Sequence, residues 1–193
     1  MYKIIVIGGS AGSFPLILKL LETLPKTFNT PIVLCLHRLK HVKHGFVEAL
    51  NLKSTIKVTE PLDKEAIKPG RIYLAPPNYH ILVELSKTFA FSTDEDVKFS
   101  RPSIDVAFDS FSYVYKDKML GIILSGANSD GAAGAHRAHN RGSKIITQAP
   151  EDALIKTMPD ATIKLIPDVC QLTFEKIIKE IINTETPNDK FTK

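Results

Sequence analysis

Tryptophan is absent from this chain, cysteine occurs only twice, and no apolar run approaches the roughly 20 residues that cross a membrane. Each absence removes a class of protein. Cys35 and Cys170 stand far apart with no C-x-x-C pair around them, which excludes a disulfide framework and a cysteine-based zinc site. Both thiols are expected to be reduced and buried. Met1 runs at once into a strand-like segment, without the basic and apolar stretches of a secretory leader, so the expected location is cytoplasmic with no membrane insertion. The net charge of +4 comes from lysines and glutamates scattered along the chain rather than stacked in runs, and no nucleic-acid partner is expected from it. The G-x-x-x-x-G-K-[ST] and G-x-G-x-x-G phosphate fingerprints are both missing.

What is present is a repeat of strand-length and helix-length patterns. A hydrophobic content of 44% over 193 residues suits one domain with a substantial core. Apolar runs recur at 3–7, 31–36, 71–75, 119–124 and 144–147, mostly with longer amphipathic segments between them. The runs are near-continuous in Ile, Val and Leu rather than alternating, as in parallel strands covered on both faces. The expected fold is α/β: a three-layer α/β/α sandwich around a mostly parallel, doubly wound sheet. Helices are expected at about 14–24 (closed by Pro25), 43–52, 101–115 with Pro102 in the first turn, 131–141 and 173–183, and 53–58 is expected to return as a short strand. Residues 79–85 and 88–92 read as a small antiparallel hairpin around Ser86-Lys87, a candidate rim for a site. Residues 1–184 are expected to form a single domain, and 185–193 a polar C-terminal tail.

Ligands of open parallel sheets collect beyond the carboxyl ends of the strands, so the residues just after each strand carry the most information. Three such ends supply Ser10, His37 and Asp130. Ser10 lies in Gly8-Gly9-Ser10-Ala11-Gly12, which fits G-x-S-x-G, a strand-to-helix turn whose small residues leave the hydroxyl exposed. His37 is a candidate base for that hydroxyl and Asp130 a candidate partner for the imidazole. The order Ser, His, Asp differs from the Ser, Asp, His order of α/β-hydrolases, so the motif alone does not assign that fold. Simpler roles stay open at each position: a turn or cap serine, a structural histidine, and an aspartate capping the helix that follows it. The first loop is also suited to cradling a phosphate, but the second strand ends in His37-Arg38 where a ribose-binding acid would stand. His37, His41 and His44 lie close in sequence, as do His136 and His139, without a specified carboxylate. A solvated basic loop of Arg38, Lys40, His41, Lys43 and His44 is the preferred account, and neither metal nor cofactor is expected. Cys35, two residues before His37, faces the same side of its strand, where packing is a more ordinary role than thiol chemistry.

Seven segments in order resemble the catalytic domain of the bacterial chemotaxis-receptor methylesterases, the protein-glutamate methylesterases. They are Ile7-Gly8-Gly9-Ser10-Ala11-Gly12, Leu36-His37, Gly70-Arg71-Ile72-Tyr73-Leu74-Ala75-Pro76-Pro77 with His80 after it, Arg101-Pro102-Ser103-Ile104-Asp105, Ser125 through Gly134, Gln148, and Met158-Pro159. The resemblance covers most of the chain. It implies a domain that hydrolyses glutamate γ-methyl esters on the cytoplasmic helices of chemotaxis-type receptors, releasing methanol, with glutamine deamidation in some members. Ser10, His37 and Asp130 would take the nucleophile, base and acid positions. The Ala127 backbone N–H and the turn around Ala11 would face the oxyanion. The implied partners are methylated receptor helices and a methyltransferase. Well-known members carry an N-terminal receiver domain, whereas this chain begins at the catalytic strand, so that control is expected to be missing or supplied by a separate receiver protein. Two departures stand out: Ala11-Gly12-Ser13 replaces a hydroxyl residue and paired glycines, and Ala127-Asn128-Ser129 replaces a common Met-Gly-Asn. The change at position 11, with the expected loss of the receiver domain, keeps a second expectation open, a catalytically quiet receptor- or methyltransferase-binding module with the same fold.

Overall fold

The computed structural model describes residues 1–38 and 45–185. Its elements run β1 (Ile4–Gly9), α1 (Phe14–Thr23), β2 (Ile32–Leu36), α2 (Phe46–Lys53), β3 (Val58–Thr59), β4 (Ile72–Leu74), β5 (His80–Val83), β6 (Phe89–Ser92), α3 (Ile104–Tyr115), β7 (Met119–Ile123), α4 (Ala132–Asn140), β8 (Lys144–Gln148), α5 (Thr157–Leu165), β9 (Cys170–Leu172) and α6 (Phe174–Asn183). Seven strands form one parallel sheet in the order β3-β4-β2-β1-β7-β8-β9, and β5 pairs antiparallel with β6 in a separate hairpin. The chain starts in the middle of the sheet, builds outward through β2, then crosses back to lay β7 on the other side of β1.

Side-chain alternation along the strands accounts for the three layers, because successive residues point to opposite faces. Ile5 and Ile7 of β1 join Ile32, Leu34, Leu120 and Ile122 in a core closed by Ile17, Leu20 and Leu21 of α1, Leu50 of α2 and Phe174, Ile177 and Ile181 of α6. Ile4 and Val6 join Val33, Cys35, Tyr73 and Ile123 under Phe108 and Phe111 of α3, Ala135 and Ala138 of α4, Met158 of α5 and Phe89 of the hairpin. Every residue of β1, β2 and β7 is buried. Both faces of the sheet are covered, as the continuous apolar runs demand.

Several boundaries depart from expectation. The 53–58 segment is not a strand; Lys53 ends α2 and only Val58–Thr59 pair with β4, because Asn51 holds the Val58 backbone N–H (2.9 Å) and carbonyl (2.8 Å) at the helix end. Residues 43 and 44 of the expected second helix, and the tail beyond Glu185, lie outside the described residues. Pro102 precedes α3 instead of entering it, in a cis peptide with Arg101, and Ser103 is the N-cap. Helix α5 and strand β9 were not anticipated. Both are short, and β9 is an edge strand with two exposed residues. One of these is Cys170, which is exposed instead of buried because it lies on this edge strand; Cys35 is buried as expected.

Candidate functional site

The topological switch between β1, β2 and β7 brings three loops together. β1 pairs with both β2 and β7, so the residues following their carboxyl ends are neighbours. Backbone bonds set the spacing: Ser10 N–H donates to the Ser125 carbonyl (2.9 Å) and His37 N–H to the Gly9 carbonyl (3.1 Å). The Ser10 carbonyl accepts from the Ser13 N–H (3.0 Å) and hydroxyl (2.6 Å), tightening the turn into α1. Gly12 takes the left-handed step at φ +85°, where a Cβ would also lie 2.7 Å from the Ser125 hydroxyl.

In this arrangement the Ser10 hydroxyl donates to His37 Nδ1 at 3.1 Å, and His37 Nε2–H donates to Asp130 Oδ2 at 2.8 Å. The carboxylate fixes the tautomer: with the proton on Nε2, Nδ1 presents its lone pair to the serine. Asp130 is fully buried and has more than one partner. Its Oδ1 accepts from the Ser103 hydroxyl (2.8 Å) and the Asp105 N–H (3.1 Å), and Oδ2 also accepts from the Ile104 N–H (2.6 Å). Burial pushes this carboxyl up, but His37 and the donors at the start of α3 outweigh it and hold Asp130 below the ordinary 3.8. Asp130 therefore does cap a helix, though α3 and not the helix that follows it, and it does so while holding the imidazole.

The surroundings are built to match. His80, buried beside α3, accepts the Ser103 N–H at Nδ1 (3.2 Å) and donates from Nε2 to the Glu95 carbonyl (3.0 Å). Asp105 takes the Gly134 N–H (2.6 Å) and pairs with Lys98 (2.7 Å). The Ser100 hydroxyl oxygen also stands 3.2 Å from His37 Nδ1. An open cleft of about 350 Å³ leads to the serine, lined by Ser10, Ala11, His37, Phe99, Ser100 and Arg101 among others. Ala11 thus lies on the cleft wall, while Ala127, exposed on the neighbouring acid loop, does not line it. Cys35 packs in the core on the α3 side of the sheet, and burial first, then Asp130, push its thiol well up.

The chain and the fold that hold this constellation have counterparts among known proteins. The family described as CheB methylesterase matches residues 5–181. The chain belongs to the CheB methylesterase family. Over 187 residues it is 43% identical to a Leptospira interrogans protein, covering 97% of each chain, which bears the name protein-glutamate methylesterase/protein-glutamine glutaminase provisionally. A Thermotoga maritima protein of that name is 32% identical over 169 residues, which are 84% of this chain and 48% of the relative's length. The crystal structure of the Thermotoga maritima CheB methylesterase catalytic domain superposes with a TM-score of 0.88 at 29% identity, covering 95% of this chain and 99% of that one.

The CheB fold thus brings together Ser10, His37 and Asp130, and it places Ala11 beside them. His136 and His139 lie elsewhere, on α4, bonded to Asn140 (3.3 Å) and facing Asp168 (4.0 Å); His41 and His44 lie outside the described residues. Ser103, Asp105 and His80 stand within the sequence motifs, but their bonds to Asp130, Gly134 and one another are visible only in the fold. Ser100 has no local signal, since only the folding of its turn onto His37 reveals it.

Proposed function

We propose that this chain is a serine hydrolase that removes methyl groups from glutamate γ-methyl esters on helices of a chemotaxis-type receptor, with Ser10 as nucleophile, His37 as base and Asp130 as the group that orients it. The observation that carries this is the continuous hydrogen-bond chain from the Ser10 hydroxyl through both ring nitrogens of His37 to a buried carboxylate. Ser10 Oγ attacks the ester carbonyl carbon as its proton passes to Nδ1, and Asp130 stabilises the imidazolium that results. Nδ1–H then gives its proton to the departing methoxide, and methanol leaves.

The oxyanion needs donors already in place. Because Ser13 holds the Ser10 carbonyl with two bonds, the N–H at the other side of that planar trans peptide, on Ala11, points the opposite way. With no side-chain hydroxyl at position 11, this backbone N–H is the donor assigned there, and the Ala127 N–H is the second candidate. Deamidation of glutamine uses the same steps with ammonia as the leaving group. Residues 1–184 would act as a single catalytic domain on this account.

The test is Ser10→Ala. Methanol release from a methylated receptor fragment should fall by at least about 10³, with the circular dichroism spectrum unchanged, and a fluorophosphonate should label wild type at Ser10 but not the variant. Undiminished turnover in the variant overturns the assignment. A folded wild-type protein that resists the probe yet binds the fragment supports the quiet binding module.

A further inference from the structure

His37 Nδ1 has one lone pair and two hydroxyls within reach of it. Ser10 Oγ lies 3.1 Å away and Ser100 Oγ 3.2 Å away. Ser100 is delivered by a two-residue turn whose ends bond reciprocally, Val97 N–H to the Ser100 carbonyl (3.2 Å) and Ser100 N–H to the Val97 carbonyl (3.0 Å). Both central residues are left-handed, Lys98 at φ +49° and Phe99 at φ +64°. A turn of this kind favours Asn-Gly, and a phenylalanine there is strained. Phe99 gains no burial in return, being 98% exposed.

Strained backbone persists where its surroundings over-determine it, and that is the case here. The Lys98 ammonium bonds the Ser129 carbonyl (2.7 Å) and pairs with Asp105 (2.7 Å), and the Lys98 carbonyl accepts from the Asn128 side chain (3.3 Å). The turn that carries Ser100 is therefore fastened to the loop that carries Asp130. The two hydroxyls keep a fixed relation to the same imidazole.

We infer that Ser100 positions the hydrolytic water in the second half of the reaction, a role that rests on the Ser10–His37–Asp130 assignment above. Once Ser10 Oγ carries the acyl group it has no proton to offer, and Nδ1 needs a new donor. The water must enter where methanol left, with one O–H directed at Nδ1 and its oxygen at the acyl carbon. Ser100 Oγ stands within bonding reach of that nitrogen and accepts the water's other O–H. The water oxygen then forms its bond to the acyl carbon while one proton goes to Nδ1. The bond from the acyl carbon to Ser10 Oγ breaks, and Nδ1–H returns the proton to Ser10. The product is the glutamate carboxyl group, which ionises.

Rapid-quench methanol release from a methyl-esterified receptor fragment tests this with Ser100→Ala. The first-turnover burst should stay within about twofold of wild type, while the rate that follows falls about tenfold. Acyl-enzyme on Ser10 should accumulate, seen by mass spectrometry of quenched samples, and Ser100→Thr should restore the slower rate. A structural role for Ser100 would depress both phases by one factor, and that result overturns the inference. So do two unchanged phases, or a faster burst, which would make Ser100 a mere competitor for Nδ1. Undiminished methanol release by Ser10→Ala would instead overturn the nucleophile assignment, which separates the two failures.

Discussion

Asp130 accepts from one imidazole, one hydroxyl and two backbone N–H groups, and each of these partners donates to a carboxylate. An asparagine would turn an NH2 toward at least one donor and leave buried groups unmatched. Asp130→Asn should cost on the order of 3 kcal/mol in urea unfolding at neutral pH and should also abolish turnover, since His37 loses the acceptor that fixes its tautomer. The pH dependence has a definite sign. The folded carboxyl titrates below the ordinary 3.8, so its contribution is present above the unfolded-state value and disappears as pH falls through the lower folded value. The stability gap between wild type and Asp130→Asn should therefore be full above about pH 5 and shrink below about pH 4. A gap that does not shrink in acid would show that the carboxylate charge is not what the native state uses. At this scale the sequence showed Ser10, His37 and Asp130 because each follows a strand, and strand ends are visible as the ends of apolar runs. It could not show Ser100 or that the helix Asp130 caps is α3, since both depend on segments distant along the chain.

Helix α3 turns the sheet's geometry into a site. Its N-terminal turn supplies Ser103, Ile104 and Asp105 to Asp130, and the same turn packs on α4 at Gly134, where a Cβ would come within 2.5 Å of the Asp105 carbonyl oxygen. That backbone atom cannot rotate aside as a side chain would. Gly134→Ala should destabilise the fold by about 1–3 kcal/mol or more, and because the first turn of α3 must shift with Asp105, kcat should fall as well. Destabilisation with full activity would show that the α3–α4 crossing does not set the acid's position. Helix α3 itself was legible from Ile104, Phe108 and Phe111 at helical spacing. Its start was misjudged by placing Pro102 inside, when Ser103 does the capping through its bond to the Val106 N–H (3.4 Å). Helix α5 and strand β9 escaped notice because each is short and only part of each is buried, leaving little hydrophobic period to detect.

On the scale of the molecule, two apolar layers sandwich one sheet, and the central strands β1, β2 and β7 contribute to both. Both layers pack against the same seven-stranded sheet, so the chain should melt in one calorimetric transition. At ~0.7 kcal/mol per residue, 193 residues imply an unfolding enthalpy of about 135 kcal/mol near 60 °C. Two resolved transitions would contradict a single cooperative unit. The sequence by itself determined the layered α/β class, because continuous apolar runs can be satisfied only by strands buried on both faces. It also determined which loops hold the chemistry, because a parallel sheet puts all its strand ends on one side. Tertiary structure decided the strand order, and with it that the loops after β1, β2 and β7 meet. It also decided which hydroxyls reach His37 and which helix Asp130 caps. Those depend on hydrogen bonds between segments 26 to 93 residues apart, and no local pattern in the chain encodes such contacts.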